Sequence, residues 1–230
     1  MKLRLIPLII MLLLVFVACN KSGVNVVNPG ETTSSKSEEK STQTTPQLST
    51  VPDDGEVQTN HGQSVEIGTV IQFGGYDWLV LDEHNGKVLI ISEKVLEDRA
   101  YNTYTAVTWE HSDIRAYLNG EFLNSFNKED RARIIQTEVI NNNHSNGTLG
   151  GSNTTDYIFL LSVDEAESLF SDNSSRIARS DTNATVWWRL RSPGGVDKYA
   201  ATVSREGNVY ADGLSVSVVG GIRPALWISL

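Results

Sequence analysis

The side chains in this chain best suited by type to chemistry are five tryptophans and the arginines that follow them. Trp78, Trp109, Trp187, Trp188 and Trp227 all lie beyond residue 64, with Arg115 six positions after Trp109 and Arg189 and Arg191 just after Trp188. An indole face and a guanidinium fork together suit a sugar ring or a peptide, the ring stacking and the fork donating at its edge. The same residues also serve a core, because large aromatics beside Gly and Pro turns fill small interiors and place their N–H groups on backbone carbonyls. Core packing is the expectation for the tryptophans as a group. Trp109 and Trp188, with Arg115, Arg189 and Arg191, are the ligand candidates to set against it. Adjacent Trp187 and Trp188 point to opposite sides of any strand, so at most one of them faces a ligand.

Arg191 and Arg223 each lie among apolar residues and need partners if buried. Pairing with Asp or Glu is the expectation, ahead of an anion-binding role. Asp156 and Asp181 are the carboxylates that could share acid and base work on a polymer, which requires them to converge within about 10 Å. The four histidines, His61, His84, His111 and His144, stand in no ligand spacing, so no metal and no cofactor is expected. His144, inside an asparagine-rich stretch, is a candidate for lining a ligand pocket, against the plainer reading of a solvated loop position. Ser192, between Arg191 and Pro193, does not sit in a nucleophile elbow.

These residues must be positioned by strands and short helices. Residues 69–73, 76–82 and 87–92 read as a three-stranded meander, with Asn85-Gly86 as its tight turn and the last two strands covered on both faces. Ser112 caps a helix carrying Ile114, Tyr117 and Leu118, which Asn119-Gly120 should end in a left-handed turn. Asn127 opens a second helix with Asp130 in its first turn and Ile134-Ile135 as its core contacts. Ser162 and Glu165 form a capping box for a third, after an apolar strand over 157–161. The polar stretch 141–156 is a long loop of the kind that carries function. Strands return over 186–191, 199–203, 208–211 and 221–228. Strands at both ends with helices between them imply an α+β architecture in which the terminal segments share a sheet.

Cys19 is the single cysteine. It ends an apolar run over 5–18 that begins behind Lys2 and Arg4, too short and too interrupted by Pro7 for a spanning helix. The ending Val15-Phe16-Val17-Ala18-Cys19 resembles the lipobox of bacterial lipoproteins, with Phe16 where Leu is usual. The resemblance implies cleavage before Cys19, a diacylglycerol on its thiol, and residence on the extracellular face of the cytoplasmic membrane. Two acyl chains, at about 0.8 kcal/mol per buried methylene, hold where one would not. A mature chain of this kind has no free thiol, which excludes disulfides, thiolate nucleophiles and cysteine-bound zinc. Residues 20–64, rich in Ser, Thr, Lys, Glu and Pro, cannot bury enough apolar surface to order themselves and read as a disordered tether with a reach of roughly 35 Å. Residues 65–230 form one domain. The domain carries fourteen basic and twenty-two acidic residues out of a chain total of 19 and 28, an acidic balance that argues against nucleic acid as a partner.

Two segments carry a second resemblance. Trp187-Trp188-Arg189-Leu190-Arg191-Ser192-Pro193-Gly194 and Gly221-Ile222-Arg223-Pro224-Ala225-Leu226-Trp227-Ile228 resemble the paired signatures of an uncharacterised bacterial domain family, WWxLRSPG and GVRPALWI. Residues 73–78, 109–119 and 158–166 also match its pattern, which brings in Trp78 and Ser112. That family is distantly similar to the C-type-lectin-like fold of formylglycine-generating enzymes, so the resemblance implies a single C-type-lectin-like α+β domain of mostly antiparallel strands with about three helices. The formylglycine activity does not carry over without its cysteines, and the calcium-ligand triplets of sugar-binding lectins are missing. Trp78, Ser112, Trp187, Ser192, Pro193, Gly194, Arg223, Pro224 and Trp227 are expected to be structural signature residues. The resulting expectation is a non-enzymatic module for a glycan, wall component or protein, using loops at 141–156 and 192–197. An enzyme built on Asp156 and Asp181, or a scaffolding domain with an exposed apolar patch, are the alternatives.

Overall fold

The computed structural model describes residues 65–230; Cys19, the leader, the expected tether over 20–64 and His61 lie outside the described residues. Strands Val70–Phe73 (β1), Tyr76–His84 (β2) and Lys87–Ser92 (β3) form the meander. At its second turn Asn85 and Gly86 take φ of 52° and 70°, the left-handed pair that a two-residue hairpin of matching twist requires. β3 is buried along all but its first residue.

After Glu97–Arg99 (β4) comes a helical stretch: a 3-10 turn Trp109–His111, then Asp113–Tyr117 (α1), a π turn Leu118–Phe122, Leu123–Ser125 (α2) and Lys128–Arg133 (α3). Ser112 caps α1, its hydroxyl accepting from the Arg115 amide, and Asn127 caps α3 in the same way through Asp130. Asn119-Gly120 does not end the helix as the sequence led us to expect. Asn119 instead sits in the wide π turn, donates to the Ile158 carbonyl at 2.8 Å and accepts from the amides of Tyr157 and Ile158. The widened turn lets Leu118, Phe122 and Leu123 all reach the core. Ile134–Ile135 is also not helical; it is a short strand, β5.

The chain continues through Thr137–Val139 (β6), Thr154–Asp156 (β7), helices Val163–Ser168 (α4) and Asn173–Arg176 (α5), and strands Ala178–Arg179 (β8), Thr185–Val186 (β9), Trp188–Pro193 (β10), Tyr199–Val203 (β11), Val209–Ser215 (β12), Gly220–Ile222 (β13) and Ala225–Ser229 (β14). Residues 158–161 are buried but form no strand; they are joined to the sheets through a bridge between Phe159 and Ala225 and a bond from Arg191 N to Leu161 O at 2.9 Å. One five-stranded sheet runs β1-β2-β3-β14-β5, antiparallel throughout. The other runs β12-β11-β10-β13-β4, with only β10 and β13 parallel. The protein is thus a mixed α+β fold of mostly antiparallel strands, and its C-terminal strand joins the N-terminal meander in one sheet, register Leu226 to Ile90. Among the described residues no helix is long and apolar enough to cross a membrane.

The signature residues build the junction between the sheets. The two short crossings between the sheets, from β3 to β4 and from β13 to β14, are hydrogen-bonded to each other: Ser92 N to Pro224 O at 2.9 Å and Leu96 N to Ile222 O at 3.1 Å. Pro224 stands where the strand breaks and no N–H is needed. Arg223 is buried there, but its partners differ from the carboxylate expected. It donates to the Ser92 and Glu93 carbonyls at 3.0 and 3.2 Å and lies 5.0 Å from the Trp188 ring centre. The end of β3 supplies these carbonyls, which take Nε and Nη2 of the guanidinium. Trp187 lies flat on Gly220, where a Cβ would come within 1.9 Å of the indole, so only glycine admits it.

Candidate functional site

The long loop between β6 and β7 is fastened at both roots by ion pairs in which one partner is buried. At one root Arg191, 2% exposed in its side chain, makes a forked pair with Glu165 at 2.5 and 2.7 Å and donates to the Leu160 and Ile140 carbonyls at 2.8 and 3.0 Å. Glu165 is also the capping-box residue of α4, so one carboxylate fixes a helix start and a loop root together. At the other root Asp156 is wholly buried. It accepts from Trp109 Nε1 at 2.9 Å, Thr154 Oγ1 at 2.7 Å and Arg115 Nε at 2.7 Å.

Between those roots asparagine amides replace secondary structure. Asn141 Nδ2 donates to Ser152 O, Asn153 Oδ1 accepts from Asn141 N, and Asn143 Oδ1 accepts from Gly150 N. Each supplies the partner a loop amide or carbonyl otherwise lacks. The loop then meets the segment after β10: Asn146 Nδ2 and Thr148 Oγ1 both donate to Gly195 O, at 2.8 and 3.2 Å. Gly194 lets this segment pack closely on β12, since a Cβ would fall 2.5 Å from Asp212 O. The two loops anticipated from sequence, 141–156 and 192–197, therefore form one surface.

Two clefts open along it. The larger, about 450 Å³, is lined by Val107, Thr108, His111, Thr148, Leu149 and Asp197 among others. The smaller, about 260 Å³, is lined by Asn142, Asn143, His144, Asp164, Ser192 and Pro193 among others. Buried side-chain polar atoms without a hydrogen-bond partner among the described residues fall into two sets: guanidinium nitrogens of Arg189, Arg191 and Arg223, and three others. Those three are Thr108 Oγ1, Asn141 Oδ1 and His144 Nε2, and all belong to this loop cluster. His144 shows the arrangement best. Its side chain is 8% exposed, Nδ1 accepts from Asn146 N at 3.2 Å, and the proton is thereby placed on Nε2. Nε2 stands 3.5 Å from Asp212 Oδ1, too far for a good hydrogen bond. A buried donor left in this way costs free energy until an oxygen reaches it.

The other candidates from sequence have structural surroundings. Trp109 and Trp188 are buried to within 1% and present no face to a ligand. Their indole N–H groups are used by Asp156 and, at 3.0 Å, by the Arg176 carbonyl. Arg189 is buried against the Trp187 ring, centre to guanidinium 5.2 Å, and donates to the Ser215 and Val218 carbonyls. Burial lowers its pKa to about 10, with the Tyr101 phenol pulling the other way. Arg115 and Asp156 hold each other, and Asp181 sits in the exposed β8–β9 turn. The proposed acid–base pair does not meet in either cleft, because Asp156 is needed to neutralise Arg115 below the loop. Ser192 accepts from the Val163 amide and Trp78 donates to the Phe73 carbonyl. Among the described residues no three His, Cys, Asp or Glu gather as metal ligands. Thr108 and Asp212 were not singled out from sequence, where a threonine before a tryptophan or an aspartate in a strand carries no distinguishing signal; Asn141 was marked only as part of the 141–156 loop.

Residues 85–230 match the model of a family described as a domain of unknown function (DUF6273). The match begins at the β2–β3 turn and takes in both clefts. No curated protein and no solved structure matches the chain.

Proposed function

The chain belongs to this family of domains of unknown function, and from that premise we propose that it is a bacterial lipoprotein whose folded part is a non-enzymatic binding module for a glycan, wall component or protein outside the cell. The observation that carries the reading is a loop surface with two clefts, one lined by Thr108 and the other by His144, each of which holds a buried polar atom with no hydrogen-bond partner among the described residues. Binding sites pair a preformed concavity with a few placed polar groups, and a loop held by ion pairs at both roots is preformed. Recognition without chemistry accords with Asp156, which is committed to Arg115 and Trp109.

The proposed localisation, a diacylglycerol-modified cysteine on the extracellular face of the cytoplasmic membrane, is supported by the sequence of the leader, where Lys2 and Arg4 precede an apolar run that ends at Cys19.

Two experiments test these claims separately. Metabolic labelling with a clickable fatty acid should mark the native chain and not Cys19→Ala; equal labelling, or recovery of both from cytosol, removes the anchor. A glycan array and an envelope pull-down with the folded part should retain a partner that His144→Ala binds about tenfold more weakly, the value of one hydrogen bond of about 1.4 kcal/mol. Blank results in both, or full retention by His144→Ala, remove the binding site.

A further inference from the structure

The geometry points to a second ligand site, independent of the loop cluster: a groove floored by Trp227 that takes a neutral pyranose sugar. Three of the five tryptophans spend their indole N–H inside the protein, Trp78 on Phe73 O at 2.8 Å, Trp109 on Asp156 at 2.9 Å and Trp188 on Arg176 O at 3.0 Å. Trp187 and Trp227 are both partly exposed with no hydrogen bond to the indole N–H among the described residues, but Trp187 is packed on Gly220 beside Arg189 whereas Trp227 lines a groove of about 380 Å³. The Trp227 indole lies on the face of β14 opposite the fully buried Leu226 and Ile228, packed on the core and bordering the groove.

The groove exists because the chain leaves the sheet beside Trp227. β5 pairs with β14 through Ile135 opposite Trp227, and the chain then turns away at Gln136 into β6, which pairs elsewhere with β7. Trp227 and Ile135 thus form an apolar floor. Lys87 and His84 from the β2–β3 hairpin stand on one rim, Gln136 and Glu138 on the other. All four rim residues are exposed.

That combination has a definite chemical preference. A pyranose ring offers one face of C–H groups, which stacks on an indole, and an edge of hydroxyls that both donate and accept. The rim offers donors on Lys87, an acceptor on Glu138, and both on Gln136 and the Trp227 N–H supplements the donors. One ammonium faces one carboxylate, so the groove has no net charge with which to select an anion or a cation. A shallow floor of a single indole and an isoleucine is too small to anchor a helix face, whereas it matches one or two sugar rings.

The test follows the five tryptophan indole signals in the nitrogen–proton NMR spectrum of the folded, isotope-labelled chain. Trp227→Phe identifies its signal and preserves an aromatic floor. Chitotetraose, cellotetraose and maltotetraose are then titrated in turn. The expected result is movement of the Trp227 signal with at least one of them, and an affinity about tenfold weaker when Lys87→Ala and Gln136→Ala are combined in a chain whose other signals stay dispersed. A Trp227 signal that stays still with all three sugars overturns the site, as does an unchanged affinity in the rim variant. Movement with a wall stem peptide and not with a sugar overturns the ligand class. Movement confined to amides of residues 141–153 supports the loop cluster and overturns this groove.

Discussion

Removing the Asp156 carboxylate should loosen the binding loop at its root. Asp156 is fully buried and accepts three hydrogen bonds, from Trp109, Thr154 and Arg115, the last within an ion pair at 2.7 Å. Asp156→Ala leaves the Arg115 guanidinium, 27% exposed, beside an uncharged cavity and strands the Trp109 N–H in the core. Breaking a buried pair in this way costs about 3–5 kcal/mol, and partial access of Arg115 to water places the expectation at the lower end, about 3 kcal/mol. For a domain of this size each kcal/mol moves the melting temperature by roughly 2–4 °C, so calorimetry should show a fall of about 10 °C. The double variant Arg115→Met with Asp156→Leu removes both charges and should recover more than half of the loss. Hydrogen exchange in the single variant should speed up first over residues 141–153. A melting temperature unchanged to within about a degree, or a double variant no better than Asp156→Ala, would refute the assignment of this pair as the fastening of the loop.

Two further outcomes follow from the same physics. Arg223→Lys should cost about 2–3 kcal/mol in denaturant unfolding, because an ammonium cannot reach both the Ser92 and Glu93 carbonyls while stacking on Trp188, and a loss below about 0.5 kcal/mol would contradict the stapling role. Burial, reinforced by the adjacent Glu97 carboxylate, pushes the Tyr117 phenol up to about 12, against the neighbouring Arg99 charge. The folded chain therefore holds a proton that the unfolded chain releases near pH 10, and this contribution to stability is complete below pH 10 and lost between about 10 and 12. Ultraviolet titration should show Tyr117 ionising well after the exposed tyrosines; ionisation with them near pH 10 would contradict the arrangement.

Features written in short-range chemistry were legible from the sequence. Asn85-Gly86 declared a hairpin, and Ser162 with Glu165 declared a capping box, because each motif satisfies its own backbone within four residues. The pairing of the C-terminal strand with the meander also followed from the placing of apolar runs at the two ends. What escaped depended on partners far along the chain. Gly120 looked like a helix end until Asn119 was seen bonded to residues 157 and 158, 38 and 39 positions away. Arg223 looked in want of a carboxylate, yet the end of β3, 131 positions earlier, supplies a carbonyl. At the site the two loops were identifiable by their polarity and length. Which atoms face the clefts was not, because Thr108 comes to the surface from outside those loops.

The central claim is that ligand recognition resides on the joined loops and not on the tryptophans of the core. Hydrogen–deuterium exchange of the folded part, with and without solubilised cell envelope, tests it most directly. The account predicts added protection over residues 141–153 and 192–197 with His144 at its centre, and none at β10 or β13. Protection absent from both loops, or concentrated on the core strands that carry Trp188 and Arg223, would contradict it.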